Sequence, residues 1–158
     1  MRQYFEIDKT SHFGINDQRF LLKHLPFNRR VDILEVGNWT GCSTRFFHRN
    51  TPNGSTIDTV DIKDHDIGIE HPTIKKYICS SLHFVPKKIY DFVYLDGNHD
   101  PDYVYHEILR FKPNANIIAG HDAKMVYPAL ERVLKDRPFD CELVVTTLCS
   151  SWVMRIES

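Results

Sequence analysis

The fold is decided by the stretch VDILEVGNWTGCSTRFF, residues 31–47, in which an apolar run is followed by two glycines and then by a helical pattern. The run VDILEV is apolar and β-branched, which is typical of a strand buried on both faces of a sheet. Gly37 and Gly41 flank the turn that follows, and residues 42–50 have helical spacing. A strand, a glycine turn and a helix in this order are typical of α/β proteins that bind nucleotide-like ligands at the turn.

The chain on either side continues this alternation of strands and helices. Further strands are predicted at STIDTVDI, IKKYIC, YDFVYLDG and NANIIAGHD, further helices at residues 16–25 and 102–112 and at MVYPALERVLKD, and a terminal antiparallel hairpin at CELVVTTL and SWVMRIE. The second and third strands are only eleven residues apart, so the crossover helix between them must be short or missing. The pattern favours an α/β, doubly wound, mostly parallel sheet with helices on both faces.

Two details of the helices are predicted from single residues. Asn16 or Asp17 can cap the first helix, because a side-chain oxygen at that position accepts from the free N–H groups of the first turn. Pro128 is expected near the start of the last helix, where the missing N–H of proline does no harm.

Composition and charge narrow the class of protein. A chain of 158 residues suits one domain, 1–158, which we divide into an N-terminal helical segment, 1–30, and a core, 31–158. The net charge of -1 creates no field that would recruit nucleic acid or a membrane, and the first ten residues contain no apolar run that would predict a signal peptide or a membrane span. The four cysteines form no CxxC pair, which disfavours zinc and indicates free thiols in a reducing cytoplasm.

The glycine turn carries the first functional hypothesis. Gly37 lets the backbone approach a ligand closely, and the free N–H groups of the next helix face the same crevice. The dinucleotide pattern G-x-G-x-x-G lacks its middle glycine here, so a pyrophosphate ligand is disfavoured. Asp61 ends the second strand 24 positions after Gly37, where a carboxylate binds ribose hydroxyls in such folds. The alternatives are a purely structural turn and a solvent-exposed aspartate.

Polar side chains at the ends of two later strands form a second candidate site. Asp96 and His99 follow one strand, and His121 and Asp122 follow the next, so all four are expected at one mouth of the sheet. Carboxylates suit Mg²⁺ or Mn²⁺, an added imidazole favours transition metals, and an imidazole can also accept a proton near neutral pH. The alternative is that Asp96 begins a turn and that Asp100 or Asp102 caps the next helix.

Three segments together resemble a known family. LEVGNWTGCST is similar to motif I of class I S-adenosylmethionine-dependent methyltransferases, in the E-x-G-x-x-x-G-x-S form found among O-methyltransferases. YDFVYLDGNHDPDYV and then IIAGHD resemble the second half of the same domain. The nearest pattern is the small-domain group that includes macrocin-type O-methyltransferases and cephalosporin-hydroxylase-like proteins, and it extends over about residues 31–122.

The resemblance implies a Rossmann-like seven-stranded sheet of order 3-2-1-4-5-7-6 and a bound S-adenosylmethionine. It implies that the backbone around Gly37 meets the methionine part, that Asp61 holds the ribose, and that Ser80 and Ser81 lie where the family often has an acidic or polar adenine contact. The full set of expected cofactor contacts is Glu35, Gly37, Asn38, Trp39, Thr40, Gly41, Ser43, Asp61, Ile62, Ser80, Ser81 and Asp96.

The resemblance also implies roles for the second cluster. In macrocin-type enzymes a carboxylate at the position of Asp96 and an acidic pair at positions 121 and 122 bind a divalent metal, and a histidine three residues after the first carboxylate is the base. The implied metal ligands are therefore Asp96, His121 and Asp122, with His121 standing where the family usually has glutamate. The implied catalytic residues are His99 and Asp96.

The function that these patterns favour is transfer of a methyl group from S-adenosylmethionine to an oxygen of a small or glycosidic acceptor, with Mg²⁺ or another divalent cation as a candidate cofactor. Only about thirty residues precede the first strand, so we expect either an open acceptor pocket or a homo-oligomer partner that completes it. The alternatives are a non-catalytic cofactor-binding or interaction module on a degenerate methyltransferase fold and, third, a nicotinamide-dependent reductase.

Overall fold

The computed structural model describes residues 6–7 and 13–157. Residues 1–5 and 8–12 of the predicted N-terminal segment, and residue 158, lie outside the described part. The described part contains the helices α1 (Ile15–His24), α2 (Cys42–Asn50), α3 (Pro101–Phe111) and α4 (Ala123–Asp136), and the strands β1 (Asp32–Val36), β2 (Thr56–Asp61), β3 (Ile74–Ile78), β4 (Phe92–Leu95), β5 (Ile117–Gly120), β6 (Cys141–Val145) and β7 (Trp152–Ile156).

The strands form one seven-stranded sheet in the order β3-β2-β1-β4-β5-β7-β6, which confirms the predicted order. The strands β1 to β5 are parallel, and β7 runs antiparallel to both β5 and β6, which confirms the terminal hairpin. In the register of the sheet, Val36 pairs with Val60 on one side and with Leu95 on the other, and Leu95 pairs with Gly120. The residues that follow these four strand ends therefore lie side by side along one edge of the sheet.

Each face of the sheet carries its own apolar core. Ile33 of β1 packs with the aromatic side chains of α2 on one face, whereas Leu34, its neighbour in sequence, packs with α3 and α4 on the other. Both side chains are fully buried. Since successive side chains of a strand point to opposite faces, an uninterrupted apolar run is what a strand covered on both sides requires.

The helix boundaries lie within two residues of the predicted ones, but two predicted details are wrong. Neither Asn16 nor Asp17 caps α1, because Gly14 occupies that position and the Asp17 carboxylate instead accepts from Ser150 N and Ser151 Oγ. Pro128 lies inside α4 rather than near its start, because the helix begins five residues earlier, at Ala123. No helix lies between β2 and β3 in the described residues, which agrees with the prediction that the crossover helix there is short or missing.

Two further observations concern the described residues only. None of their helices has the length and apolar character needed to cross a membrane. All four cysteines are free, as the absence of paired spacing predicted.

Candidate functional site

A cleft of about 760 Å³ opens at the edge of the sheet where β1, β2, β4 and β5 end. Its wall contains the turn after β1, the residues after β2 and β4, and His121 and Asp122 after β5. Two residues of α3, Tyr103 and Glu107, complete the wall on the side of β3. The cleft therefore occupies the crevice in which doubly wound α/β folds hold their ligands.

The glycine turn at the centre of the cleft needs both of its glycines. Gly37 has φ +83°, and a Cβ there would overlap the backbone of Asp96 and Gly97. Gly41 has φ +74° at the N-cap of α2, and a Cβ there would overlap Ile67. The main chain can thus pass close to β4 and enter α2 directly, which leaves the first turn of α2 beside the cleft.

Asp61 fastens this turn to the end of β2. Its Oδ2 accepts hydrogen bonds from the backbone of Asn38, at 3.1 Å, and of Trp39, at 3.3 Å. The second oxygen, Oδ1, accepts from Lys63 N. Asp61 thus shapes the turn and also lines the cleft, and its contact with a ribose stays a prediction.

Asn38 is the polar side chain buried deepest in the turn. It is 2% exposed, and its Nδ2 donates to Thr59 Oγ1 at 2.7 Å. Its Oδ1 is buried and has no hydrogen-bond partner among the described residues. A buried acceptor without a partner is unfavourable, so the turn is incomplete without a ligand or a water.

Trp39 and Ile62 lie at the mouth of the cleft, with 63% and 70% of their surfaces exposed. Trp39 also has φ +35°, a conformation that residues other than glycine rarely adopt. Thr40 and Ser43, two other predicted contacts, line the cleft as well.

Glu35 does not line the cleft, so it is not placed for the predicted contact with the cofactor. It instead positions the first turn of α2. The side chain is fully buried behind the turn and accepts hydrogen bonds from Ser43 Oγ and Thr44 Oγ1 in the first turn of α2. Burial raises its pKa to about 7, and the hydrogen bonds from Ser43 and Thr44 counteract that rise only in part. Glu35 joins β1 to α2 and fixes the direction in which the helix leaves the turn.

The β3 end of the cleft differs from the prediction. Ser81 lines it, but Ser80 does not, and Ser80 Oγ lies 3.0 Å from the hydroxyl of Tyr103. The sequence reasoning missed Glu107, which is fully buried, lines the cleft and accepts from Ser81 Oγ at 2.5 Å. One signal was available, because an acidic residue stands among the apolar positions of α3, which are Val104, Ile108 and Phe111.

At the opposite end, the side chains after β4 and β5 converge as predicted. One ligand atom from each of Asp96, His99 and Asp122 lies within 4.8 Å of the others. His99 Nδ1 is 3.3 Å from Asp122 Oδ2. Asp100, by contrast, caps α3 by accepting from Tyr103 N, which was the structural alternative considered for it.

His121 is placed differently from the predicted metal ligand. Among the described residues, the histidine whose ligand atom lies close to those of Asp96 and Asp122 is His99 and not His121. His121 lies between carboxylates, with Nδ1 3.4 Å from Asp122 Oδ2 and Nε2 3.7 Å from Asp17 Oδ1. Burial lowers its pKa, but Asp17 and the charges of Asp96 and Asp122 outweigh burial and raise the pKa to about 9. A protonated imidazole has no free lone pair with which to bind a metal.

Asp17 is a second residue of this region that sequence reasoning missed. It lies on α1, and its hydrogen bonds to Ser150 and Ser151 bring that helix against the loop before β7. No local pattern could reveal this, since more than a hundred residues separate Asp17 from His121 and from these serines.

Solved structures share this architecture. The N-methyltransferase NodS from Bradyrhizobium japonicum WM9, in complex with S-adenosyl-L-homocysteine, is 14% identical over 94% of this chain and 88% of its own, with a TM-score of 0.66. The cofactor-bound Rv0187 from MTB is 13% identical over 96% and 84%, with a TM-score of 0.71. The ribosomal protein L11 methylase from Lactobacillus delbrueckii subsp. bulgaricus is 14% identical over 96% and 84%, with a TM-score of 0.67.

No protein-family model and no curated protein sequence matches the chain. The structural likeness shows that the chain has the class I methyltransferase fold. Of these three proteins, only the L11 methylase carries its acceptor in its name, so the likeness shows the fold and does not specify an acceptor for this chain.

Proposed function

We propose that the protein is an S-adenosylmethionine-dependent methyltransferase. The observation that carries the proposal is the glycine turn, which Asp61 fastens at the edge of a cleft and which leaves the buried Asn38 Oδ1 without a partner among the described residues. A site with unpaired buried polar atoms and a closely approaching backbone suits a ligand that carries both charged and polar groups.

The residues present fit this cofactor along the length of the cleft. Gly37, Asn38 and Asp61 hold its central part, with Trp39 and Ile62 at the mouth. When bound, S-adenosylmethionine supplies a methyl group on a positively charged sulfur. The carboxylate of Asp96, which follows β4, attracts this positively charged sulfur to the side of the cleft where His99 and Asp122 also lie.

The finer proposal is that the acceptor atom is an oxygen of a small or glycosidic molecule. Transfer to a hydroxyl requires that a nearby group take its proton, and His99 stands at the cleft wall with 38% of its side chain exposed. Its contact with Asp122 orients the imidazole. The cleft remains open enough that a second copy of the chain is a candidate for completing the acceptor site.

A divalent cation also fits the cluster, because Asp96, Asp122 and His99 offer two carboxylates and an imidazole that converge. When bound, such a cation lowers the pKa of an acceptor hydroxyl and orients it. His99 then has two competing roles, as third ligand or as base. Its distance to Asp122 is compatible with either role.

The experiment that tests the proposal is calorimetry of the full chain with S-adenosylmethionine and, separately, with NAD, followed by an acceptor screen that measures release of S-adenosylhomocysteine. We expect binding of S-adenosylmethionine, no binding of NAD, and product release with hydroxylated acceptors. Binding without turnover on any acceptor would favour the non-catalytic cofactor-binding module. Binding of NAD alone would favour the reductase and overturn the proposal.

A further inference from the structure

The carboxylate of Glu107 is the most unusual polar group of the cleft. It is fully buried in the middle of α3 and yet lines the cavity. Its Oε1 accepts from Ser81 Oγ, whereas its Oε2 is buried and has no hydrogen-bond partner among the described residues. A buried carboxylate oxygen without a hydrogen-bond partner is energetically unfavourable, which indicates that a ligand group donates to Oε2.

The surroundings of Glu107 keep its carboxylate in one orientation. Ser81 Oγ lies 2.5 Å from Glu107 Oε1 and 3.2 Å from the hydroxyl of Tyr103, which in turn contacts Ser80. Burial raises the pKa of Glu107 to about 7, although the hydrogen bond from Ser81 opposes that rise. The hydrogen bond from Ser81 fixes Oε1 and leaves the buried Oε2 for a ligand. A ligand N–H that donates to Oε2 favours the ionised carboxylate over the protonated form, whereas a ligand carbonyl oxygen does not.

The position of Glu107 in the cleft identifies the part of the ligand that it faces. Asp61 ends β2 near the centre of the cleft, and the cluster around Asp96 lies on the β4 and β5 side. Glu107 lies on the other side, where Ser81 follows β3. If the proposed function holds, a nucleoside whose sugar is at Asp61 and whose sulfur is near Asp96 has only the β3 end left for its base.

We propose that Oε2 of Glu107 accepts a hydrogen bond from the 6-amino group of the adenine and thereby selects adenine over hypoxanthine. This inference rests on the proposed function. Adenine presents an N–H donor at this position, whereas hypoxanthine presents a carbonyl oxygen, which would place two acceptors against each other. Ser81 is then a positioning residue, because it holds Oε1 and leaves Oε2 for the base.

The test compares S-adenosylhomocysteine with S-inosylhomocysteine by calorimetry on the full chain. The wild-type protein is expected to bind the adenosine compound at least about tenfold more tightly, since a site built around a donor rejects the analogue that lacks it. In Glu107→Gln the ratio should fall towards one or invert, because the amide keeps an acceptor for Ser81 and offers an N–H to the carbonyl of hypoxanthine. Glu131→Gln, an exposed position on α4, is the matched control and should keep the wild-type ratio.

Several outcomes would overturn the inference. Equal affinity of the wild-type protein for the two compounds would overturn it without any variant. A Glu107→Gln protein whose affinities for both compounds fall by the same factor would also overturn it. Should Glu107→Gln fail to fold, Ser81→Ala provides the second variant, because it frees Oε1. A ratio in Ser81→Ala that equals the wild-type ratio would refute the inference. Failure of the wild-type protein to bind either compound would instead contradict the proposed function itself.

Discussion

Asp61 shows how one side chain can have a structural and a binding role at the same time. Its carboxylate accepts from Asn38 N and Trp39 N, and it also lines the cleft. An alanine there would release the turn as well as remove the ligand contact. Asparagine has nearly the same shape and keeps one acceptor oxygen for Asn38 and Trp39, with its amide nitrogen turned towards Lys63 N. It therefore disturbs the turn less than alanine does.

Asp61→Asn is expected to weaken binding of S-adenosylhomocysteine by roughly 1–3 kcal/mol, the range for hydrogen bonds to a charged group. Calorimetry measures the affinity, and thermal unfolding without ligand checks that the turn is intact. Asp140→Asn, exposed and far along the chain, is the control. An affinity equal to that of the wild-type protein would remove Asp61 from the site.

The cluster of Asp96, His99 and Asp122 permits a prediction about metal dependence. Chelation by EDTA is expected to abolish methyl transfer to a verified acceptor while leaving cofactor binding nearly intact, because the cation serves the acceptor. Added Mg²⁺ or Mn²⁺ should restore turnover. The measurement is release of S-adenosylhomocysteine before and after chelation.

If turnover is unchanged after chelation, the predicted metal is wrong, and the remaining prediction is that His99 is the general base. His99→Ala should then lower turnover by about 10²–10⁴-fold. His106→Ala, on the exposed side of α3, is the matched control. If neither chelation nor His99→Ala changes turnover, the residues of the cluster only stabilise turns and cap helices.

At the scale of elements, the turn between β1 and α2 depends on how closely it passes β4. Gly37 and Gly54 both have positive φ, but a Cβ on Gly37 would overlap backbone atoms of Asp96 and Gly97, whereas the atoms nearest to a Cβ on Gly54 would be those of the Arg30 side chain, from 3.1 Å. The two glycines therefore share a positive φ and differ in what packs against them.

Gly37→Ala is expected to destabilise the fold by clearly more than the roughly 1–2 kcal/mol that a left-handed conformation alone costs. Gly54→Ala, the matched control, should lose no more than that amount, because the Arg30 side chain can move. Urea unfolding of both variants measures the difference. Equal losses would mean that the turn can move away from β4, and that the close approach is not essential.

On the scale of the whole molecule, a buried carboxylate makes stability depend on pH. Glu35 is fully buried, and its pKa of about 7 in the fold lies above the ordinary value of 4.5. Between these two values the folded state binds a proton that the unfolded state releases. The contribution of Glu35 to stability is therefore highest below pH 4.5 and falls as the pH rises towards 7.

Glu35→Gln removes this dependence, so the stability of the wild-type protein relative to the variant should fall by roughly 3 kcal/mol from pH 4.5 to pH 7, at about 1.4 kcal/mol for each pKa unit. Above pH 7 the difference should stay constant. Urea unfolding of both proteins at a series of pH values provides the measurement. A difference that does not change with pH would show that Glu35 has the same pKa in the folded and unfolded states.

Much of the fold could be predicted because its signals are local. The apolar run of residues 31–36 requires cover on both faces, and the structure places a core on each. Residues 42–50 were predicted helical and form α2 with those bounds. The order of the strands followed only from the resemblance to methyltransferases, since periodicity does not say which strands are neighbours.

By itself, the sequence determined the elements, the glycine turn and the strand ends that line the cleft, because each depends on residues within a few positions of one another. Only the tertiary structure decided which side chains meet there. It brought Glu107 to Ser81, put His121 beside Asp17, and grouped His99 with Asp96 and Asp122. The physical reason is that such contacts depend on sheet register and on how helices pack over the sheet, and both are set by the whole core rather than by any short stretch of chain.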